Sequence, residues 1–517
     1  MIRISNIRID VLNDNNETII KKLEKELREK VIDYKIVKKS LDARKDIKYV
    51  YTFDVEVNNE EKVLRNKNVI KTPKEEYRLN LTGTKELKYR PVIIGTGPSG
   101  LFLGYMLSKY GYKPILIERG EKIEDRIKTV EKFWKDNNLN TESNVQFGEG
   151  GAGTFSDGKL NTLVKDKFFR MKKVFEIFIE AGAPEEIMYS YKPHIGTDKL
   201  REVVINLRNK IIDMGGEFRY STKLTDLIIK DNKLEGIIVN DNEEIKTNNI
   251  FLGIGHSARD TYQILYEKGL DMKSKPFAVG VRIEHRGEDI NKCLYRDYYD
   301  KLGPASYKLT YNTNEGRGVY SFCMCPGGFV VNASSEKNRL AINGMSNYLR
   351  DSGIANSALV VSVTPKDYGE DLFDGVKFQR DLEEKAYKLG NGKIPVQKYI
   401  DFKNNKISTS FDFINTKGEY ESSNLNDLLP EYVSDSIKEA MPNFKKQISC
   451  FDEGILLGIE SRTSSPITIL RNENGESNIK GIYPVGEGAG YSGGITTSAM
   501  DALKQAENFV KIFKPFN

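Results

Sequence analysis

The residues best suited to chemistry begin with a glycine-rich run. Gly95-Thr96-Gly97-Pro98-Ser99-Gly100 follows a short apolar segment and precedes a segment typical of a helix. Gly95 would permit a tight turn, Gly97 would let the backbone approach a pyrophosphate, and Gly100 would let the helix pack closely on the strand. The helix N-terminus would offer free N–H groups and a positive dipole end to phosphates. The run therefore predicts a dinucleotide site.

An acidic residue follows at the spacing that such a site requires. Lys113–Glu118 predicts a second buried strand, and Glu118 stands 18 residues after Gly100. A carboxylate there would accept hydrogen bonds from both ribose hydroxyls and repel a 2′-phosphate, which favours FAD or NAD over NADP. The adjacent Arg119 is assigned to the same cofactor site.

A second glycine-rich run lies near the end of the sequence. Gly486-Glu487-Gly488-Ala489-Gly490 follows a predicted strand, and a helix is predicted from Gly493-Gly494-Ile495 onward. Only 31 residues follow Gly486, too few for a helix and another strand with a ribose-binding acid. We interpret this run as the closing unit of the first site. Glu487 would bind the ribityl chain of a flavin, and the helix dipole would stabilise a reduced flavin by about 0.3–1 kcal/mol.

A third glycine-rich segment lies between these two runs. Gly148–Lys159 contains five glycines, and Gly150, Gly151 and Gly153 are assigned to cofactor contact. Glycine backbone can lie flat against a ring system or a phosphate. The side chains of Asp157 and Lys159 could hydrogen-bond the N5 or O4 edge of a flavin. The alternative interpretation is a surface turn.

The strand predicted at Ile250–Leu252 ends in a further turn near the cofactor. Gly253 and Gly255 are assigned to the cofactor, as is Leu224 from the preceding predicted hairpin. His256 follows directly and could act as an acid or a base near neutral pH. It could equally cap the next helix or bond a phosphate.

Two cysteines stand two residues apart before a Pro-Gly-Gly turn. On a regular strand, Cys323 and Cys325 share one face. They could relay electrons as a dithiol, or one thiolate could attack a substrate, and Cys325 is the catalytic candidate. The alternative is two small buried side chains. Arg282 and Arg317 could hold an anionic substrate or form surface salt bridges. No metal site is predicted, because no further Cys or His cluster lies nearby.

Several long strings carry a family resemblance. They are Ser40–Arg44, Gly148–Lys159, Gly255–Asp260, Ser321–Gly328 and Gly486–Thr497. With them, the sequence resembles the bacterial FAD-dependent or NAD(FAD)-utilising dehydrogenases over most of its length. The resemblance implies FAD binding and an oxidoreductase fold, and it supplies no substrate.

The elements that must position these residues indicate an α/β fold. We expect a Rossmann-like FAD-binding domain of the glutathione-reductase type, an inserted α+β substrate domain and a small N-terminal α+β domain. The N-terminal domain and linker are predicted at 1–88, the FAD-binding domain at 89–269 and 451–517, and the inserted domain at 270–450. Within the first region, residues 17–31 predict an amphipathic helix, and alternation predicts a strand at 47–57.

Bulk properties limit the classes of function. The 517 residues suit about three domains. The net charge of +5 is small for this length and does not indicate a nucleic-acid binder. No long apolar segment or secretory signal is seen, and four cysteines make no disulfide framework, so we expect a cytoplasmic protein without a membrane partner.

The leading hypothesis is an FAD-dependent dehydrogenase or reductase. Hydride or electrons would pass between flavin N5 and a small-molecule substrate bound under the inserted domain, with NADH or NADPH as a transient reductant if one is used. The alternatives are a non-catalytic flavin sensor and a flavin-dependent RNA-modifying protein. The oligomeric state is left open. The RNA alternative depends on basic residues of the N-terminal domain: Lys21, Lys22, Lys38, Lys39, Arg44 and Lys45.

Overall fold

The N-terminal region forms an antiparallel sheet of order β2-β3-β1-β4 with a helix packed against it. The computed structural model describes residues 1–44 and 46–516, so Lys45 lies outside the described residues. The elements of this region are β1 Ile2–Asp10, α1 Asn16–Leu27, β2 Val31–Asp42, β3 Lys48–Val57, α2 Glu60–Val63 and β4 Val69–Lys71.

Two expectations for this region need correction. The helix predicted at 17–31 ends at Leu27, because Arg28 adopts a left-handed conformation with φ 52° and closes it. The chain then enters β2, which the sequence analysis did not predict and which pairs along β3. The predicted linker contains β4, whose Val69 pairs with Ile4 at the sheet edge. The predicted strand at 47–57 is present as β3.

The next region contains the first part of the parallel sheet and most of its covering helices. Its strands are β5 Val92–Ile94, β6 Ile115–Ile117, β7 Glu217–Arg219, β8 Leu224–Lys230, β9 Lys233–Val239, β10 Glu243–Lys246 and β11 Ile250–Leu252. Its helices are α3 Pro98–Lys109, α4 Ile123–Asp136, α5 Arg170–Glu180, α6 Thr197–Asp213 and α7 Arg259–Glu267.

The region after residue 270 is built on a second, larger sheet. The strands of this region are β12 Met272–Ser274, β13 Phe277–Arg286, β14 Thr310–Asn312, β15 Gly318–Cys325, β16 Phe329–Asn332, β17 Ile342–Met345, β18 Ile354–Val363, β19 Ile394–Lys398, β20 Thr416–Lys417 and β21 Tyr420–Ser422. Of these, β12, β16, β17 and β20 belong to two smaller sheets. Its helices are α8 Gly287–Tyr295, α9 Pro365–Tyr368, α10 Asp374–Leu389, α11 Tyr399–Lys403 and α12 Glu431–Gln447.

The last part of the chain contributes one strand to each of these two sheets. Its elements are β22 Ile455–Glu460, β23 Ile467–Ile469, β24 Ile482–Pro484 and α13 Ile495–Val510. β22 lies between β13 and β19 in the larger sheet, whose order is β14-β15-β18-β13-β22-β19-β21. The larger sheet thus extends beyond residue 450, whereas β24 returns to the parallel sheet.

The parallel sheet has the order β24-β11-β5-β6-β7, and its strands pair in parallel. Read from β7, the strands follow the chain order 3-2-1-4-5, which is the Rossmann arrangement. β5, β6, β11 and β24 are buried apolar runs, as expected of parallel strands covered on both faces. α3 and α13 pack together on one face. The predicted α/β class is confirmed.

The hairpin predicted after residue 224 is present but belongs to another sheet. Asp231 and Asn232 form its turn with positive φ angles of 49° and 57°, as a two-residue hairpin turn requires. The hairpin joins β10 in a separate antiparallel sheet and does not pair with the parallel one. Among the described residues, no helix has the length and apolar character needed to cross a bilayer.

Candidate functional site

A cavity of about 790 Å³ opens at the carboxyl ends of the parallel strands, where ligands bind in such sheets. It reaches from the three glycine-rich turns to β15 of the larger sheet. Most residues that the sequence assigned to the site line it. They are Gly95, Gly97, Pro98, Ser99, Glu118, Arg119, Gly151, Gly153, Asp157, Lys159, Leu224, Gly253, Gly255, His256, Glu487, Gly493, Gly494 and Ile495.

Four assigned residues are absent from the described lining: Gly100, Gly150, Gly486 and Cys325. The three glycines have packing roles. A Cβ on Gly100 would collide with Gly95 O, and one on Gly150 would collide with the Thr154 hydroxyl. A Cβ on Gly486 would lie 2.8 Å from Cβ of Ser99. Because Gly486 has no side chain, the closing turn can pack directly on the first one.

The turns after β5, β11 and β24 interlock. A Cβ on Gly95 would collide with Gly253 O, and one on Gly488 would lie 2.6 Å from Gly255 N. The first and last turns are therefore on the same side of the sheet, although almost 400 residues separate them in the chain (488 − 95 = 393). This brings both predicted cradles to one cavity.

Two long helices begin at the cavity without a side-chain cap. Gly97 is the N-cap of α3, and Gly494 is the N-cap of α13, and neither makes a side-chain capping hydrogen bond. The first N–H groups of a helix have no partner within the helix and need one elsewhere. Both helix starts are therefore suited to accept anionic ligand groups.

Glu118 is buried at the end of β6, with its acceptor sites already filled. One carboxylate oxygen accepts hydrogen bonds from Thr96 N at 2.9 Å and from Thr96 Oγ1 at 3.0 Å. The other accepts from Gly120 N and Gly148 N, each at 3.0 Å. A carboxylate offers about four acceptor sites. In this structure Glu118 joins the first glycine turn to the Gly148 segment, and its predicted ribose role stays a prediction.

Arg119 forms one wall of the cavity within an ion-pair network. Its two terminal nitrogens each lie 2.9 Å from a carboxylate oxygen of Asp260, and Nε lies 2.9 Å from Glu142. Its guanidinium carbon lies 4.1 Å from the ring centre of Phe147. These contacts fix Arg119 in place. Nothing in the sequence around Arg119 identifies its carboxylate partners, which come from other segments of the chain.

A buried arginine that sequence reasoning missed holds the Gly148–Lys159 segment. Arg126 donates from Nε to Asn144 O at 2.9 Å, and from its terminal nitrogens to Val145 O at 3.0 Å and Glu149 O at 2.6 Å. Burial lowers the pKa of Arg126 to about 9. Because these carbonyls satisfy the guanidinium, the glycine-rich segment is fixed against the first turn.

Asp157 and Lys159 lie together near the larger sheet. Asp157 accepts a hydrogen bond from Nε of Arg350 at 2.9 Å and one from the Ser346 hydroxyl, and Lys159 Nζ lies 3.5 Å from its carboxylate. Burial alone would raise the pKa of Asp157, but the two cations hold it at about 2. One carboxylate thus balances two cations, which leaves this end of the cavity positively charged.

The surroundings of His256 favour the neutral imidazole, and its catalytic role stays a prediction. The half-buried His256 lines the cavity, and its Nδ1 lies 2.9 Å from the Ser257 hydroxyl. Desolvation, together with the cations of Arg462 and Arg259, lowers its pKa to about 3. His256 is therefore a neutral hydrogen-bonding group at physiological pH.

Glu487 has its carboxylate free for a ligand. The half-buried residue lines the cavity, and its carboxylate has no hydrogen-bond partner among the described residues. Burial raises its pKa to about 7, although nearby Lys275 opposes the shift. The turn that carries it is held by Asp501, which accepts a hydrogen bond from Gly486 N at 2.9 Å.

The two cysteines do not share a face as predicted. The pairing of β15 with β18 shifts register between Phe322 and Cys325, and Cys323 has a φ of 45°. This bulge breaks the alternation of the strand. Cys323 lines the cavity, whereas Cys325 is fully buried outside the described lining. Cys325 was the predicted catalytic residue, but the structure places Cys323 at the cavity instead.

Arg282 is likewise not the surface residue that was expected. It is fully buried, with Nη1 2.9 Å from Glu460, and it donates from Nη2 to Cys323 O at 2.7 Å. Arg317 does pair near the surface, with Asp367. Among the described residues, no group of three or more His, Cys, Asp or Glu side chains could hold a metal ion.

The basic residues of the N-terminal region are mostly paired with carboxylates. Lys21 pairs with Glu17, Lys22 with Glu26, Lys39 with Asp14 and Arg44 with Asp42. Lys38 lies over the ring of Tyr191, which lines the cavity. Such pairing weakens the positive field that nucleic-acid binding would require.

Comparison with known proteins places the chain in a family. An uncharacterized protein of Clostridium beijerinckii is 46% identical over 531 aligned positions, and the alignment covers 99% of each chain. The chain belongs to the family of this protein. Within the family member described here, residues 276–463 match the model of a "FAD-dependent protein, C-terminal domain-like" region. Residues 1–56 match a domain of unknown function, DUF8436.

Solved structures similar to this family member have low sequence identity to it. The flavin-dependent brominase Bmp2 triple mutant is 12% identical, with a TM-score of 0.37, and 82% of this chain and 79% of that one are covered. Glycerol-3-phosphate dehydrogenase from Bacillus halodurans, complexed with FAD, is 10% identical, with a TM-score of 0.37 and coverage of 84% and 67%. L-proline dehydrogenase from P. horikoshii is 13% identical, with a TM-score of 0.33 and coverage of 82% and 94%.

Proposed function

We propose that the cavity binds FAD in an extended form and that the protein is an FAD-dependent oxidoreductase acting on a small molecule. The observation that carries this proposal is that two uncapped helix starts, at Gly97 and Gly494, face one cavity. A volume of about 790 Å³ is within the range of cofactor sites. The match of residues 276–463 to an FAD-dependent protein's C-terminal domain supports the same cofactor.

The chain's own residues fit the two ends of such a cofactor. A Cβ on Gly97 would meet only Gly151 Cα, at 3.7 Å, so this glycine leaves open space for a pyrophosphate. At the other end, the carboxylate of Glu487 and the start of α13 would hold the ribityl chain and the flavin ring. When bound, the flavin supplies the hydride or electron transfer.

The polar groups beyond the closing turn orient a substrate. Lys159 and Arg350 surround Asp157 with an excess of positive charge, and Cys323 and Tyr307 also line the cavity. These groups come from the Gly148–Lys159 segment and from the larger sheet. The larger sheet therefore supplies the substrate side of the cavity.

Spectroscopy tests the cofactor and calorimetry tests its affinity. The purified protein should show oxidised-flavin absorbance, or acquire it on titration with FAD. A folded protein that stays colourless at saturating FAD would refute the proposal. Anaerobic addition of NADH and then NADPH tests the reductant, because a nicotinamide donor should bleach the flavin. Bleaching by neither would point to a different electron donor.

A further inference from the structure

Cys323 and Cys325 differ sharply in their access to the cavity. The half-buried Cys323 lines it, and the fully buried Cys325 lies behind. Sγ of Cys325 lies 3.6 Å from Cys323 O, so the buried thiol lies next to the backbone of Cys323. The thiol at the cavity thus has a second thiol close behind it.

The backbone is irregular at the two cysteines. Residues two apart on a regular strand are about 6–7 Å apart, too far for their thiols to meet easily. Here the bulge in β15 and the left-handed φ of 45° at Cys323 change that spacing and break the regular alternation of the side chains. Bulges re-aim side chains beside active sites, and a left-handed non-glycine residue stores strain that is often functional.

The charged groups around Cys323 favour a thiolate. Lys159 donates to the Met324 carbonyl between the two cysteines, and Arg282 donates to the Cys323 carbonyl. Asp157 and Glu460 are the neighbouring carboxylates. The hydrogen bond from the second cysteine lowers the pKa of Cys323 against the effect of burial, and the two cations lower it further.

The thiol of Cys325 behaves in the opposite way. Its hydrogen bond to Cys323 and its burial together raise its pKa. The two residues are therefore divided into an exposed thiolate and a buried thiol. That division suits an attacking sulfur with a second sulfur in reserve.

We propose that Cys323 and Cys325 form a redox-active dithiol that reduces a small disulfide bound in the cavity. This goes beyond the flavin function, because the thiol chemistry requires the cavity but not the cofactor. Cys323 is the attacking residue, and Cys325 resolves the mixed disulfide. The cationic end of the cavity fits a disulfide compound that carries carboxylates.

The exchange is balanced in atoms and electrons. The Cys323 thiolate attacks one sulfur of the disulfide R–S–S–R, forms a mixed disulfide and releases R–S⁻. Sulfur of Cys325 then attacks Cys323, its proton passes to a released thiolate, and the second R–S⁻ departs. The protein gains one intramolecular disulfide and loses two electrons, and the substrate becomes R–SH and R–S⁻.

Oxidised glutathione is the probe for this exchange. The reduced protein is incubated with it, quenched in acid, alkylated, digested and weighed by mass spectrometry. We expect the peptide that contains both cysteines to lose two hydrogens. In C325S the mixed disulfide should persist on Cys323, and in C323S no adduct should form at Cys325, because that thiol is buried.

Alkylation measures the thiolate separately. At pH 6 a cysteine of ordinary pKa is almost entirely protonated, so Cys323 should react with iodoacetamide at least about tenfold faster than Cys450, whose pKa is raised. K159Q should slow the reaction of Cys323 at pH 6 and leave it nearly unchanged at pH 9, whereas a loss of folding would change both rates.

Three results would overturn the proposal. They are an unaltered peptide mass in the wild-type protein, glutathione on Cys325 in C323S, and ordinary alkylation of Cys323 at pH 6. Circular dichroism shows whether each variant is folded, and C325A provides a second test if C325S is unstable. Flavin absorbance of the same samples reports the proposed function independently, so either proposal can fail alone.

Discussion

Replacing Gly97 with alanine should separate cofactor binding from folding. Gly97 has a φ of −69°, which alanine adopts readily. Its new Cβ would meet only Gly151 Cα, at an ordinary contact distance of 3.7 Å. The folded protein therefore accommodates the methyl group, which occupies cavity space where the backbone would otherwise touch a pyrophosphate.

The size of the effect follows from this geometry. An extra methyl in a tightly filled site costs about 1–3 kcal/mol. At about 1.4 kcal/mol per tenfold, G97A should bind FAD about 5- to 140-fold more weakly. The free energy of unfolding without FAD should change by less than about 1 kcal/mol, because the lower entropy of the unfolded chain offsets the weaker helix cap.

Calorimetric titration of FAD into flavin-free protein measures the affinity, and urea unfolding of the same protein measures the stability. G303A is the matched control, since Gly303 is exposed, has no atom within 4 Å of its would-be Cβ and lies outside the cavity lining. An unchanged FAD affinity in G97A would refute the reasoning. An equal loss in G303A would show that the effect is not local.

Three further variants test other parts of the structure. Burial raises the pKa of Glu284 to about 7 from 4.5, so the folded state favours the protonated carboxyl and wild type loses free energy of unfolding as pH rises through that window. The uncharged E284Q variant has no such loss, so in urea unfolding its free energy of unfolding should exceed that of wild type by up to about 3 kcal/mol as pH rises from 4 to 8. E383Q should lose about 3–5 kcal/mol in the same assay, because it leaves the buried guanidinium groups of Arg259 and Arg462 without their shared carboxylate; a loss below 1 kcal/mol would contradict this. G100A should unfold at a clearly lower urea concentration than wild type even without FAD, since its Cβ would collide with Gly95 O. An unchanged urea midpoint would show that the helix can move away from the turn.

The sequence predicted those parts of the site that are fixed by local patterns. The turn after β5 and the turn before α13 each combine an apolar run, spaced glycines and a helix start, so their structure could be deduced from neighbouring residues. Their meeting at one cavity followed from the rule that ligands bind at the carboxyl ends of parallel strands. Gly97 and Gly494 were located in this way.

Other features depend on contacts between distant segments and left no local signal. Arg126, Arg282 and Arg350 are bonded to groups that lie elsewhere in the chain, and nothing in their own neighbourhoods distinguishes them from surface arginines. The cysteine pair was misjudged for a related reason. Alternation along β15 assumes a regular strand, whereas the bulge at Cys323 is set by pairing with β18.

The parallel sheet is completed by a strand that is translated very late. β5, β6, β7 and β11 all precede residue 253, whereas β24 begins 230 residues after β11 ends (482 − 252). Because a chain leaves the ribosome from its N-terminus, the nascent protein carries β11 with one edge unpaired while the whole larger sheet is synthesised. The closing turn and α13 are made later still. The cavity therefore cannot be complete until the larger sheet has been synthesised, and the β11 edge stays open to unwanted pairing until then.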